Sequence, residues 1–87
     1  MKIIRLTQKH LKDFIDLYIE FFRELRNKQG WSFCVEEYVQ DAKRYFRRGD
    51  IIFLALEGEK ATGFIRLSSR EGCFWIEEIY VKPEFRR

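Results

Sequence analysis

Six consecutive apolar residues, Ile51 to Leu56, constrain the fold of this chain more than any other feature. A run this short, with β-branched and aromatic members, is typical of a strand that is buried on both faces. The two helical patterns in the sequence both precede this run within one connection, so they most simply cover a single face of a sheet. An exposed apolar face and an unpaired edge strand favour association. We therefore expect a partner chain, or polypeptide outside these 87 residues, to cover the other face.

The first half of the chain predicts one short strand and two helices. Residues Lys2–Leu6 are a strand candidate, and apolar residues from Leu11 to Leu25 then recur three and four apart, as on one face of a helix. Thr7 is the expected N-cap and Gly30 the expected end of this first helix. The same spacing from Val35 to Phe46 predicts the second helix.

The second half predicts a three-stranded meander. Its strands are Ile51–Leu56, Ala61–Ser68 and Cys73–Val81, separated by two turn-forming stretches that each contain a glycine. The element order is therefore β-α-α-β-β-β, and we expect an α/β (α+β) fold with a mostly antiparallel four-stranded sheet and two helices. The length suits a single domain, residues 1–87, with a thin core.

The composition indicates a folded cytoplasmic protein. Aromatic residues make up 17% of the chain, which excludes disorder. No apolar run approaches the ~18 residues of a membrane span, and charged residues come too early for a signal peptide. We expect Cys34 and Cys73 to be reduced thiols in or near the core, and with His10 they are too few and too badly spaced to bind a metal.

The net charge of +3 is concentrated near the end of the second predicted helix. Four basic residues flank two aromatic ones there: Lys43, Arg44, Arg47 and Arg48 around Tyr45 and Phe46. Charge with interleaved aromatics could contact nucleic acid, but a solvated helix end with two core aromatics is the simpler interpretation. So mild a positive charge suits an anionic small molecule better than a nucleic-acid stripe.

Two adjacent acids, Glu77 and Glu78, lie inside the apolar last strand. The alternation of a strand predicts that one side chain points to each face. A carboxylate in apolar surroundings is costly, and a raised pKa would let it act as a general base near neutral pH. The alternative is that one acid faces solvent and the other pairs with an arginine such as Arg66. Both interpretations stay open from the residues alone.

The stretch from Trp75 to Arg87, WIEEIYVKPEFRR, resembles the start of the acetyl-CoA-binding motif of the GNAT N-acetyltransferase superfamily. That motif is a hydrophobic strand followed by Val-x-Pro-x-Tyr/Phe-Arg and then a glycine-rich loop that opens a helix. The upstream order resembles the family too, with residues Phe53–Phe64 similar to its second and third strands. The resemblance spans the whole chain.

The resemblance implies acetyl-CoA as co-substrate and a primary amine of a small molecule or peptide as acceptor, with direct attack on the acetyl carbon. Either Glu77 or Glu78 would take the proton from the amine. The strand backbone would bind the pantetheine arm, and Arg86 would begin the phosphate-loop signature. The implied cofactor-binding residues are Ile79, Tyr80, Val81, Arg86 and Arg87, and the implied acceptor pocket includes Phe22, Trp31 and Tyr38.

The chain departs from the family pattern because it stops at Arg87, before either glycine of the phosphate loop. Those glycines let backbone N–H groups approach the pyrophosphate. The resemblance therefore implies the N-terminal half of a GNAT domain, truncated inside the motif and inactive by itself. The alternatives are a non-enzymatic half-domain that forms a homodimer over its open sheet edge, and a small basic nucleic-acid-binding module.

Overall fold

The computed structural model describes residues 1–29 and 34–86. Its elements, in chain order, are β1 Lys2–Arg5, a 3-10 helix Gln8–His10, α1 Leu11–Gln29, α2 Val35–Arg47, β2 Ile51–Glu57, β3 Lys60–Arg70, β4 Cys73–Val81 and a 3-10 helix Pro83–Phe85. The predicted order β-α-α-β-β-β is confirmed, and the bounds of the last strand coincide with the prediction.

The start of α1 differs from the prediction. Thr7 is the N-cap residue of a short 3-10 helix rather than of α1, and its side chain makes no capping hydrogen bond. The main chain continues smoothly from one helix type to the other: His10 N donates to Thr7 O at 3.0 Å. The predicted end of the helix, Gly30, lies outside the described residues.

The four strands form one antiparallel sheet in the order β1-β2-β3-β4. The β3–β4 hairpin closes with a two-residue turn, in which Glu71 (φ 52°) and Gly72 (φ 78°) both have positive φ. Positive φ at both positions matches the right-handed twist of the strands and makes this connection tight. Sequential hairpins therefore place β4 at the edge of the sheet.

Both helices pack on one face of this sheet. The core combines residues of each layer: Leu6, Phe14, Leu17, Tyr18, Ala42, Ile52, Leu54, Leu56, Ala61, Phe64 and Tyr80. Phe14 of α1 meets Phe64 of β3 edge-on, with ring centroids 5.2 Å apart. Aromatic rings fill most of the space between the layers, which lets a short chain build a core with few residues.

The opposite face of the sheet is open in the described part of the chain. On β2 the alternate residues Ile51, Phe53 and Ala55 are half-buried, so the strand is not buried on both faces as its apolar run predicts. On β4, Phe74, Ile76 and Ile79 are each more than 60% exposed. This face is the apolar surface that the sequence predicts to need a cover.

The predicted burial of the two cysteines is also wrong. Cys34 precedes α2 and Cys73 begins β4, and both are free and exposed. Neither is the core thiol that the sequence predicts. Each lies at the end of an element, where the packed layers no longer cover the side chain.

Candidate active site

The free edge of β4 presents backbone hydrogen-bonding groups at Ile79 and Val81. Lys82 N donates to Thr62 O at 2.9 Å, so the groups of Lys82 point toward β3. Neighbouring residues on an antiparallel strand point their N–H and C=O groups alternately to opposite sides. Tyr80 therefore also bonds toward β3, while Ile79 and Val81 point away from it. Among the described strands, β4 pairs with β3 alone.

A pocket of about 360 Å³ lies between this edge and the C-terminal half of α1. Its walls are Phe21, Glu24 and Leu25 of α1, together with Ile79, Tyr80, Val81 and Arg86. The structure thus brings together four of the five residues that the resemblance implies for cofactor binding. The fifth, Arg87, lies outside the described residues.

Arg86 is held across the mouth of the pocket by three of its nitrogen atoms. Its Nη1 and Nη2 donate to the two carboxylate oxygens of Glu24 at 2.9 and 3.1 Å. Its Nε donates to the carbonyl oxygen of Val81 at 2.7 Å. The hydrogen bonds to Glu24 raise the pKa of the guanidinium. The side chain therefore ties α1 to the free edge of β4.

Tyr80 forms the floor of the pocket. Its side chain is 6% exposed, and its hydroxyl donates to Glu24 Oε2 at 3.3 Å. Burial, with the nearby charges of Glu20 and Glu24, raises the pKa of Tyr80 to about 12. The hydroxyl is therefore protonated at neutral pH and serves here as a hydrogen-bond donor.

A β-bulge in β4 overturns the prediction that Glu77 and Glu78 point to opposite faces. Glu78 pairs with Arg66 and Ile76 with Leu67, so Glu77 is an extra residue with no partner on β3. A bulge of this kind re-aims side chains locally. Both carboxylates consequently reach groups on the helix-covered side of the sheet.

Glu78 forms the ion pair with Arg66 that the sequence offers as the alternative to a catalytic role. Arg66 Nε and Nη2 donate to the two Glu78 oxygens at 2.5 and 2.7 Å, and Nη1 donates to Asp50 at 2.7 Å. The guanidinium also lies 3.6 Å from the ring centroid of Tyr45. Burial acts to lower the pKa of Arg66, but the hydrogen bonds that it donates to the carboxylates of Glu78 and Asp50 outweigh burial and the pKa is raised. This buried network joins β3, β4, α2 and Asp50, the residue before β2.

Glu77 lies beside a second, more polar pocket of about 480 Å³ next to α2. Its carboxylate accepts from Ser68 Oγ at 2.5 Å and from the guanidinium of Arg70. The hydrogen bond from Ser68, followed by the one from Arg70, lowers the pKa of Glu77. The structure therefore places neither candidate base in the pocket between β4 and α1, and their catalytic role stays a prediction.

The residues implied for the acceptor pocket are also apart from the β4 edge. Phe22 of α1 and Tyr38 of α2 stack on each other, with centroids 4.5 Å apart and planes at 19°. Arg26 Nε donates to the Tyr38 hydroxyl at 3.1 Å. Both rings thus pack between the helices, and their contact with an acceptor stays a prediction. Trp31 lies outside the described residues.

Two of the basic residues near the end of α2 have acidic partners. Arg44 pairs with Asp41 at 2.9 Å, and Arg48 makes two hydrogen bonds to Asp50 at 2.7 and 2.9 Å. Within residues 1–29 and 34–86, no cluster of three or more His, Cys, Asp or Glu side chains could hold a metal ion. None of the described helices combines the length and the apolar character that crossing a membrane requires.

Sequence reasoning missed Glu24 and the bulge. Glu24 lies 56 and 62 residues from its partners Tyr80 and Arg86, and no local pattern indicates such a contact. The bulge, in contrast, leaves a trace. Outward-facing apolar residues of β4 are spaced by two except between Ile76 and Ile79, where the spacing is three.

Solved structures of acetyltransferases share this fold. A probable acetyltransferase is 27% identical, with a TM-score of 0.77 over 100% of this chain and 61% of its own. An aminoglycoside 6′-N-acetyltransferase from Acinetobacter haemolyticus is 22% identical, with a TM-score of 0.70 over 100% and 61%. The PaiA N-acetyltransferase from Thermoplasma acidophilum, solved with coenzyme A, is 20% identical, with a TM-score of 0.69 over 97% and 60%.

The chain thus spans about 60% of the length of the solved acetyltransferases it matches. Among curated proteins there is no match. The model of the acetyltransferase (GNAT) family matches residues 11–87, which include both helices, the last three strands and the pocket between β4 and α1. The chain therefore belongs to the GNAT acetyltransferase family.

Proposed function

We propose that this chain carries the acetyl-CoA-binding strand of an N-acetyltransferase that acts on a primary amine of a small molecule or peptide. The observation that supports it is the free edge of β4, where Ile79 and Val81 turn their backbone groups toward the pocket beside α1. An extended ligand with amide groups can add to such an edge as a further strand. The pantetheine arm of acetyl-CoA has that chemistry.

The residues present suit such a ligand. Backbone N–H and C=O groups of Ile79 and Val81 would hold the arm, and Tyr80 would close the pocket beneath it. Arg86 would line the pantetheine end of the pocket, and Arg87, the next residue in the sequence, would supply positive charge near the diphosphate. Acetyl-CoA itself supplies the activated thioester carbonyl that an amine can attack.

Proton removal from the amine falls to Glu77 or Glu78 in this proposal, either directly or through water. Both oxygens of Glu78 already accept hydrogen bonds from Arg66, which leaves Glu77, at 23% side-chain exposure, as the more accessible acid. Its lowered pKa keeps it ionised at neutral pH but also makes it a weak base. A water molecule between Glu77 and the amine would suit this limited basicity.

The acceptor is proposed to bind near Phe22, Trp31 and Tyr38, which belong to the two-helix segment. The fold likeness to an aminoglycoside 6′-N-acetyltransferase makes aminoglycosides the first acceptors to test. We infer that turnover requires polypeptide beyond these 87 residues, because the solved relatives are longer. An acetylation assay with this chain alone should show no product, and steady turnover would contradict that inference.

The decisive experiment is a calorimetric titration of acetyl-CoA into the chain. Ile79→Pro removes one outward-facing N–H and no bond to β3, so it should abolish binding while the circular dichroism spectrum stays unchanged. Phe74→Pro is the matched control, because it alters the same strand outside the pocket. The proposal fails if the folded, unaltered chain takes up no acetyl-CoA, or if both variants bind equally.

We also propose that a second copy of this chain covers the open β4 edge in the absence of ligand. Strand β4 shows Phe74, Ile76 and Ile79 to solvent and contains no lysine or proline to discourage pairing. Light scattering should give a dimer at micromolar concentration, and Ile76→Lys should give a monomer. A well-folded monomer of the unaltered chain would exclude the dimer.

A further inference from the structure

Glu24 is the point at which three parts of the site meet. Its carboxylate accepts two hydrogen bonds from Arg86 and one from the hydroxyl of Tyr80. Arg86 follows β4 and the 3-10 helix, Tyr80 lies in β4, and Glu24 lies on α1. One side chain therefore connects the helix, the edge strand and the segment that leaves it.

Arg86 links Glu24 to the free edge of β4. While its two Nη atoms bind Glu24, its Nε donates to the carbonyl oxygen of Val81 at 2.7 Å. The guanidinium also lies 5.3 Å from the ring centroid of Tyr80. A planar fork that binds a carboxylate with two nitrogens has a defined direction. Glu24 thus sets the orientation of Arg86, and Arg86 binds one of the backbone groups assigned to the ligand.

This geometry differs from that of an arginine whose guanidinium is free to bind a diphosphate. The positive charge of Arg86 is already opposed by Glu24, and all three nitrogens of the side chain have partners within the protein. What the arrangement does physically is hold the end of β4 and the following segment against α1. The width of the pocket between them depends on that contact.

We propose that Glu24 is a positioning residue of the acetyl-CoA site, which acts through Arg86 on the carbonyl of Val81 and on the spacing between β4 and α1. This inference rests on the proposed function, since it assumes that the pocket binds acetyl-CoA. It assigns Arg86 to the pantetheine end of the site through its contact with the strand.

The test compares two ligands, acetyl-CoA and S-acetylpantetheine, which lacks the diphosphate and the nucleotide. In an NMR titration of the chain, Glu24→Gln should weaken both ligands to the same degree, on the order of fivefold. Arg86→Gln should do the same, and the double variant should be no weaker than either single one, because the two residues act as a unit. Asp16→Asn is the control, an acid on the same helix that pairs with Lys12.

Each outcome separates the two proposals. If the unaltered chain binds neither ligand, the proposed function is wrong, and the positioning role, which depends on it, is wrong as well. If the chain binds acetyl-CoA but Glu24→Gln changes neither affinity, the positioning role alone is overturned. It is also overturned if Arg86→Gln weakens acetyl-CoA and leaves S-acetylpantetheine unchanged, because Arg86 would then act on the diphosphate. The positioning role would also be contradicted if the losses of affinity in the two single variants add in the double variant, because Glu24 and Arg86 would then act independently.

Discussion

Replacing Arg66 with methionine should destabilise the chain more than any other single change in a polar side chain. The Arg66 side chain is 5% exposed, and it neutralises Glu78 and Asp50, which are 13% and 10% exposed. Methionine fills similar volume without charge. Glu78 then loses the donors to both of its oxygens, while Asp50 keeps its hydrogen bonds from Arg48.

The size of the effect follows from what is left behind. Removing one partner of a buried ion pair costs about 3–5 kcal/mol, because the other charge stays buried without compensation. We expect about 3 kcal/mol here, since Glu78 keeps some contact with solvent. A chain of 87 residues has a total stability of roughly 4–13 kcal/mol, so the variant should lose between about a quarter and three quarters of it. The double variant Arg66→Met/Glu78→Leu removes both charges and should recover most of the loss.

Guanidinium denaturation followed by circular dichroism measures these differences directly. Lys12→Met is the control, because Lys12 is 90% exposed and its pair with Asp16 should contribute little. A loss below about 1 kcal/mol for Arg66→Met, the level of a surface pair, would contradict this prediction. So would a double variant that is less stable than the single one, since Glu78 would then stabilise the fold without Arg66 and could not be an uncompensated buried charge.

Three further predictions concern the sheet and its titrating groups. Gly63→Ala places a Cβ 2.6 Å from the Tyr80 carbonyl oxygen, and should cost about 1–3 kcal/mol by forcing β3 and β4 apart; unchanged stability would contradict that close approach. Burial raises the pKa of Asp50, but the bonds from Arg48 and Arg66 lower it below 3.8 overall. A carboxyl with a lowered folded-state pKa stabilises the fold above its unfolded pKa and loses that contribution as the pH falls. Urea denaturation should therefore show stability falling below about pH 4, and less steeply in Asp50→Asn; identical acid profiles would argue against it. Glu24→Gln should lower the pKa of Tyr80 from about 12, because one of the charges that raise it is removed. An NMR pH titration of the tyrosine ring carbons measures this pKa, and an unchanged pKa in the variant would contradict the prediction.

Much of the fold was predictable because its signals are local. Local sequence patterns identified both α-helices and all four strands but neither 3-10 helix, and the strand Cys73–Val81 was predicted to the residue. The pairing of Glu78 with Arg66 was within reach as an alternative, since adjacent strands of a meander bring such residues together. The exposed thiols Cys34 and Cys73 were predicted wrongly, because residue type indicates burial but not position at the end of an element.

The candidate site was less predictable, because its contacts join distant parts of the chain. The resemblance to the family indicated the segment from Ile79 to Arg86, and the structure adds what faces it. Predicting the contacts of Glu24 would require the packing angle between α1 and β4, which the periodicity of the sequence does not specify. The direction of the backbone groups at Val81 required the register of the hairpin, which depends on the bulge.

The bulge links the buried network to the free edge. The extra residue, Glu77, lets both acids turn toward the helices while Ile76 and Ile79 still face outward. The Arg66–Glu78 pair lies directly at this irregularity and so anchors the register of everything that follows it in β4. A slip of one residue would exchange the two sides of the strand, and Ile79 would then direct its backbone groups toward β3. Loss of Arg66 should therefore weaken any acetyl-CoA binding even where the chain stays folded, because the edge proposed to bind this ligand exists only in this register.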